Sequence, residues 1–238
     1  MESLKEKKIL LTGATGGIGS AVAKLLSRSG AALFITGRNA DKLHAVAADC
    51  GIPPAHVMAA DITLPADVAN LKEKCFSQFA SPDILINAAG IGIIRNMETL
   101  SEDEFLKVIH HNLFAPFLLL KAFLPAMKEA KKGLIIHIPG VLGKTPMAGA
   151  AAYAASKYGL VGMLQSVREE LKRTDIRITN IFLGGTDTSF WDHIELRVQR
   201  EKMIVAEEAA KAIWFLCQQP ASAVVSEMVL QPFNHQAI

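Results

Sequence analysis

Aromatic side chains are scarce in this chain: Phe, Trp and Tyr make up 6% of its 238 residues, and only two of them are tyrosines. Half the residues are hydrophobic, and these are mostly Ala, Leu, Ile and Val, which suits parallel strands covered on both faces by helices. Charge of either sign is not in excess. A net charge of +2 argues against nucleic acid or an acidic surface as partner. Cysteine is limited to Cys50, Cys75 and Cys217. These are odd in number, far apart, and without metal-ligand or redox spacing, so they read as reduced structural thiols and no metal site is expected. The segment Met1 to Lys8 is charged and runs straight into a short apolar strand, unlike a secretory signal. Long apolar runs are missing too. The most apolar stretch, Leu113 to Leu120, falls far short of the roughly 20 residues that span a bilayer. No membrane partner is expected, and the expected location is the cytoplasm.

What the chain does have is alternation. Short apolar runs at Ile9–Leu11, Ala32–Thr36, Val57–Ala60, Ile84–Ile86, Leu134–Ile138, Ile176–Phe182 and Met228–Leu230 read as strands. Between them, Ile18–Ser29, Lys42–Asp49, Asp67–Phe79 after Pro65, Glu102–His110 after the N-cap candidate Ser101, Asn112–Ala130, Ala152–Lys172 and Ala206–Cys217 read as helices. Pro116 and Pro125 are expected to bend theirs. About seven strands alternating with helices predict an α/β fold: one Rossmann-like domain over residues 1–238, a doubly wound parallel sheet with helices on both faces. Repeats and linkers are not evident. Residues 185–202 are polar and read as a lid.

The first strand runs into Thr12-Gly13-Ala14-Thr15-Gly16-Gly17-Ile18-Gly19. Gly13, Gly17 and Gly19 allow a tight turn and close approach of the backbone to a pyrophosphate, which the helix N-terminus then meets with free N–H groups. An ordinary strand-to-helix turn would also use glycine, but the position in the first strand–helix unit favours dinucleotide binding. At the end of the second strand, Thr36-Gly37-Arg38-Asn39 carries no acid. A carboxylate there would bind the adenosine ribose 2′-hydroxyl, whereas Arg38 pairs with a 2′-phosphate. The cofactor expected is therefore NADP(H), with NAD disfavoured, and Thr15 adds a hydroxyl to the same phosphate.

Tyr153 and Lys157 stand four apart on one predicted helix, so they share a face. Carbonyl reduction needs a proton donor, and a nearby ammonium lowers a phenol's pKa toward neutrality. A solvent-exposed pair would show the same spacing. The glycine turn, Asn87-Ala88-Ala89-Gly90, Asn112, Tyr153-Ala154-Ala155-Ser156-Lys157 and the stretch Asn180 to Thr188 together resemble the short-chain dehydrogenase/reductase family, in order and over essentially the whole chain. The resemblance implies that Tyr153 is the acid/base, that Lys157 is its activator and ribose clamp, and that Asn112 is part of a proton relay. It also implies cofactor contacts at Ile18, Asp61, Ile62, Asn87, Ala88, Gly90 and Thr188. Relatives pair helices like Asn112–Ala130 and Ala152–Lys172, which implies a homodimer or homotetramer.

One member of that constellation is absent. The family has a serine thirteen residues before its tyrosine, and here that position is Gly140, next to Pro139. Loss of one such donor costs on the order of a hundredfold in rate. Thr145 and His137 are poor substitutes. Leu183-Gly184 stands where the family has Pro-Gly. The leading expectation is an NADP(H)-dependent oxidoreductase that interconverts a carbonyl and an alcohol on a small or medium-sized substrate, with Phe190 and Trp191 near its pocket. Two others stand beside it: an NADP(H)-binding sensor or assembly subunit with little catalysis, and an enzyme whose substrate supplies its own hydroxyl or charge.

Overall fold

The computed structural model describes residues 1–233. Seven strands form one parallel sheet: β1 (Lys8–Thr12), β2 (Ala32–Gly37), β3 (Val57–Ala59), β4 (Ile84–Asn87), β5 (Gly133–His137), β6 (Ile176–Leu183) and, after the short pair introduced below, β9 (Glu227–Leu230). Their spatial order is β3-β2-β1-β4-β5-β6-β9. The doubly wound parallel sheet expected from the alternation is what the chain forms.

Alternate residues of each strand feed two cores, as the period of two requires. Ile9, Leu11, Ile35, Ile86, Ile136 and Ile181 face α1 (Gly17–Arg28), α2 (Ala40–Cys50) and α7 (Ala206–Cys217). Leu10, Phe34, Leu85, Ile135 and Ile178 face α3 (Pro65–Phe79), α5 (Ala115–Ala130) and α6 (Ala151–Glu170). Strand order reverses at β1 and β4, which are paired from Ile9↔Ile84 to Thr12↔Asn87. In such sheets the crevice outside the strand ends at that point is where ligands bind.

The expected break near Asn112 is resolved differently. The helix α4 (Glu102–Ile109), held by a capping box between Ser101 and Glu104, continues through a π-turn at His110–Phe114 into α5. Pro116 falls in the first turn of α5 and Pro125 within it. A π-turn shifts the hydrogen bonds by one residue, and Pro116 offers no N–H, so the Asn112 carbonyl is denied its ordinary helical partner. The result is one 29-residue helix, Glu102–Ala130, that by length and composition could cross a bilayer. Its face carrying Ala115, Leu119, Phe123 and Met127 is instead buried against the sheet.

Residues 185–202 also carry more structure than their polarity foretells. The short strands β7 (Thr186–Asp187) and β8 (Ile204–Val205) pair in parallel, and single turns form at Ser189–His193 and Arg200–Lys202. Arg200 ties the segment together through Asp187 Oδ1 at 2.5 Å, Asp192 Oδ1 at 2.7 Å and the Thr188 carbonyl at 3.0 Å. Cys75 and Cys217 are buried, and burial pushes both thiols up to about 12, which fits inert structural cysteines.

Candidate active site

The glycine turn lies at the reversal point. Gly13 has φ +72°, and a Cβ there would meet Ala89 N at 2.6 Å, so the turn and the β4 loop touch backbone to backbone. A Cβ on Gly19 would collide with the Gly13 carbonyl. The helix α1 has Gly16 at its N-cap, with no side-chain cap and no acid in its first turn. Its N-terminal donors are therefore left for an anion. These features form a cradle that fits a dinucleotide pyrophosphate.

A cavity of about 180 Å³ opens from the turn and is bounded by Thr15, Arg38, Asp61, Ile62, Ala88 and Gly90, among others. The Thr15 hydroxyl faces Gly37: a Cβ on Gly37 would be 3.0 Å from it. Asp61 Oδ1 accepts from the Thr63 N–H at 3.0 Å and its hydroxyl at 2.7 Å. Burial works against the Asp61 carboxylate, but these bonds, with Arg38 and His111 nearby, hold its pKa below the usual value. Asn87 accepts from the Thr12 hydroxyl at 2.6 Å and from the Ala89 N–H at 3.2 Å. Its side chain thus locks β1 to β4 beneath the cleft. Thr188 lies over α1, where a Cβ on Gly17 would meet Thr188 Cγ2 at 2.5 Å. Ile18 follows Gly17 in that first turn and packs against the core.

On the other side of the cleft, α6 brings Tyr153 and Lys157 together. Lys157 Nζ is 5.3 Å from the centroid of the Tyr153 ring and donates to the Ile138 carbonyl at 3.1 Å. Lys157 is 4% exposed, and burial lowers its pKa to about 8. Asn112, also buried, accepts from the Ile91 N–H at 2.9 Å and donates to the Ile91 carbonyl at 2.9 Å and to the Ser156 hydroxyl at 3.1 Å. Ser156 in turn donates to the Tyr153 carbonyl at 2.7 Å. The Asn112 side chain therefore clips the β4 loop to α6. A Cβ on Gly90 would fall 3.2 Å from Asn112 Oδ1 and 3.5 Å from Lys157 Nζ, so these three residues converge.

The pattern of the family described as short chain dehydrogenase matches residues 7–198. An uncharacterised oxidoreductase of Staphylococcus epidermidis is 30% identical over 98% of this chain and 100% of its own length. The chain belongs to the short-chain dehydrogenase family. Two solved structures are also similar. An alcohol dehydrogenase from the archaeon Thermococcus sibiricus, complexed with 5-hydroxy-NADP, has TM-score 0.87 and 26% identity, covering 98% of this chain and 100% of that one. A metagenomic short-chain oxidoreductase in complex with NADP has TM-score 0.82 and 32% identity, covering 97% and 99%.

Two departures mark this short-chain dehydrogenase. The lysine was expected to lower the phenol, but burial instead pushes Tyr153 up to about 12. Desolvation of the phenol is the cause; the Lys157 ammonium lies 5.3 Å from the ring centroid and donates to the Ile138 carbonyl. Second, Gly140 has φ +74° and ψ 168°, a conformation open essentially to glycine alone. The backbone here has moved away from one that carries a serine without strain.

Sequence reading missed three participants: Ser156, the Ile138 carbonyl and His111. Ser156 was visible inside the Tyr-x-x-x-Lys motif. The Ile138 carbonyl has no side-chain signature. His111 neighbours Asn112, yet the π-turn sends it to the cavity lined by Arg38 while Asn112 goes inward.

Proposed function

We propose that the protein is an NADP(H)-dependent oxidoreductase that interconverts a carbonyl and an alcohol on a small or medium-sized, partly apolar substrate. The observation that carries this reading is the convergence of Tyr153, Lys157 and Gly90 at the edge of the glycine-lined cleft. The dinucleotide, when bound, supplies or accepts the hydride. The chain's own residues do the rest. Tyr153 gives its proton to the carbonyl oxygen in reduction and takes it back in oxidation. Lys157 offers the remaining ammonium hydrogens to ribose hydroxyls and to the phenol. The Asn112 carbonyl, without its ordinary helical donor, is free to accept from a water that passes protons to Lys157. Arg38 and Thr15 support the phosphorylated cofactor, as do the NADP-type ligands of the two similar structures.

Residues 185–202 serve as the lid. The Phe190 ring packs onto Gly92 and lies 6.0 Å from the Tyr153 ring, with Trp191 at 5.2 Å. That wall excludes water and favours an apolar substrate. The exposed Phe117 on α5 and Tyr158 on α6 support pairing of these helices between two copies, as a homodimer or within a homotetramer, which sedimentation velocity tests.

A second reading, a dinucleotide-binding protein with little catalysis, draws on Gly140, which leaves the substrate oxygen without its serine donor. NADPH consumption against a panel of carbonyls separates the two. The enzyme reading expects turnover in the wild type that Tyr153→Phe abolishes. Tight NADPH binding with no turnover of any carbonyl overturns it. Dissociation constants should favour NADPH over NADH in the wild type and converge in Arg38→Ala; equal affinities in the wild type overturn the cofactor assignment.

A further inference from the structure

The cleft contains one contact that the reading above does not use. Arg38 Nη1 lies 3.0 Å from His111 Nε2, and His111 Nδ1 lies 2.8 Å from the Lys107 carbonyl. A carbonyl only accepts, so Nδ1 carries the hydrogen. A guanidinium only donates, so Nε2 presents its lone pair. The imidazole is thus neutral and in one tautomer, with its acceptor aimed at Arg38. Both side chains line the cavity shared with Thr15, Gly37 and Asp61.

The charged groups around His111 come from three elements. Arg38 reaches it from the loop after β2, Asp61 from the loop after β3, and Lys107 from the preceding turn of its own helix. The β1–α1 turn and the β4 loop line the same cavity with Gly13, Thr15, Gly16, Ala88 and Gly90, among others, none charged. Burial and the two cations hold His111 below its ordinary pKa, against the Lys107 carbonyl and Asp61. A dianionic phosphate placed beside Arg38 would reverse that balance.

We propose that His111 is the second half of a phosphate-recognising pair and sets the cofactor preference with Arg38. Neutral, it accepts from the guanidinium and holds it over the adenosine end of the cleft. Protonated, Nε2 turns from acceptor to donor and joins Arg38 on the 2′-phosphate. Binding of a 2′-phosphorylated ligand then takes up a proton at His111, and binding of the same ligand without that phosphate does not. A free phosphate monoester with its second pKa near about 6 loses protons on meeting a cation, so its own contribution has the opposite sign.

This inference rests on the NADP(H) reading, and the probes let the two fail separately. Bind 2′,5′-ADP and 5′-AMP to the full chain by calorimetry at pH 7, in two buffers of different ionisation enthalpy. Compare the wild type with His111→Gln, whose amide can still accept from Arg38 but does not titrate, and with His111→Leu, which does neither. For 2′,5′-ADP the wild type should take up more protons than His111→Gln, by up to about one proton. For 5′-AMP the two should agree. From pH 8 to pH 6 the preference for 2′,5′-ADP should gain severalfold in the wild type relative to His111→Gln, while His111→Leu should show a weaker preference at both pH values. Equal proton counts in wild type and His111→Gln, with 2′,5′-ADP still preferred, overturn the pair alone. No preference for 2′,5′-ADP in any protein overturns the NADP(H) reading, and the pair with it.

Discussion

A Cβ built on Gly140 would lie 4.0 Å from the Tyr153 hydroxyl and 3.5 Å from the Leu183 carbonyl. The position that the family resemblance assigns to a serine is thus beside Tyr153, the proposed acid/base, but its backbone is turned to φ +74°. Two effects oppose each other at one residue, and a pair of variants separates them. Gly140→Ala and Gly140→Ser should share a loss of about 1–3 kcal/mol in stability from the strained backbone. Only Gly140→Ser adds a donor, so its kcat/KM for a carbonyl should exceed that of Gly140→Ala by tenfold or more. Equal activities would mean that the hydroxyl does not reach the substrate oxygen. Chemical denaturation and steady-state rates provide the two readouts.

Lys157 holds a charge that its surroundings disfavour. Its pKa in the folded chain, about 8, is below the ordinary 10.5. Below pH 8 the ammonium is charged in both states and costs the fold about 3 kcal/mol by the size of the shift. From pH 8 to 10.5 the unfolded chain binds more protons than the folded one, so stability rises with pH. Lys157→Met should therefore be more stable than the wild type at pH 7, by about 1–3 kcal/mol after loss of the bond to Ile138, and the gain should fade by pH 10.5. It should also be inactive. Urea midpoints across that range check the sign, and a Lys157→Met that is less stable at pH 7 would contradict it.

His137 is fully buried at the end of β5, where its Nδ1 lies 3.3 Å from the Asn87 amide nitrogen. Burial, helped by the Lys157 charge, lowers its pKa from 6.5 to about 3. The unfolded chain thus binds a proton below pH 6.5 that the folded chain refuses. Stability from this group is complete above pH 6.5 and is lost as pH falls toward 3, at up to about 1.4 kcal/mol per pH unit. His137→Asn should show a shallower fall of its urea midpoint between pH 6.5 and 4 than the wild type. Parallel curves would locate the acid sensitivity elsewhere.

The approach of Thr188 to Gly17 couples residues 185–202 to the glycine turn. A methyl at residue 17 would overlap Thr188 Cγ2 and Cβ, at 2.5 and 2.7 Å. Gly17→Ala should weaken NADPH binding by tenfold or more, in line with the about 1–3 kcal/mol typical of overpacking. Thr188→Ser removes Cγ2 and keeps the hydroxyl that accepts from the Phe190 N–H. Adding it to Gly17→Ala should restore part of the affinity. Strict additivity in that double-mutant cycle would show that the two residues do not interact.

Much of the fold was legible because each strand and helix announces itself locally. Ile9–Leu11 and Ile84–Ile86 are short β-branched or leucine runs, and Gly13, Gly17 and Gly19 occupy places where a Cβ collides. Tyr153 and Lys157 were legible because helical spacing alone puts them on one face. The π-turn at His110–Phe114 was not: Pro116 signals a disturbance, but the packing of α4 and of the turn itself on α6 decides whether the helix kinks or slips by one residue. The network of Arg200 in residues 185–202 was hidden for a similar reason, since its partners Asp187 and Asp192 lie thirteen and eight residues away in a stretch without periodicity.

The sequence by itself determined the parallel sheet, the glycine turn between its first strand and first helix, the absence of an acid after β2 and the glycine at residue 140. These follow from the types of nearby residues and their spacing. Only the tertiary structure decided that Gly140 is left-handed, that burial pushes Tyr153 up and Lys157 down, and that His111 meets Arg38 across the cleft. Those properties depend on what surrounds a group once distant segments are packed, because desolvation and charge act through space rather than along the chain.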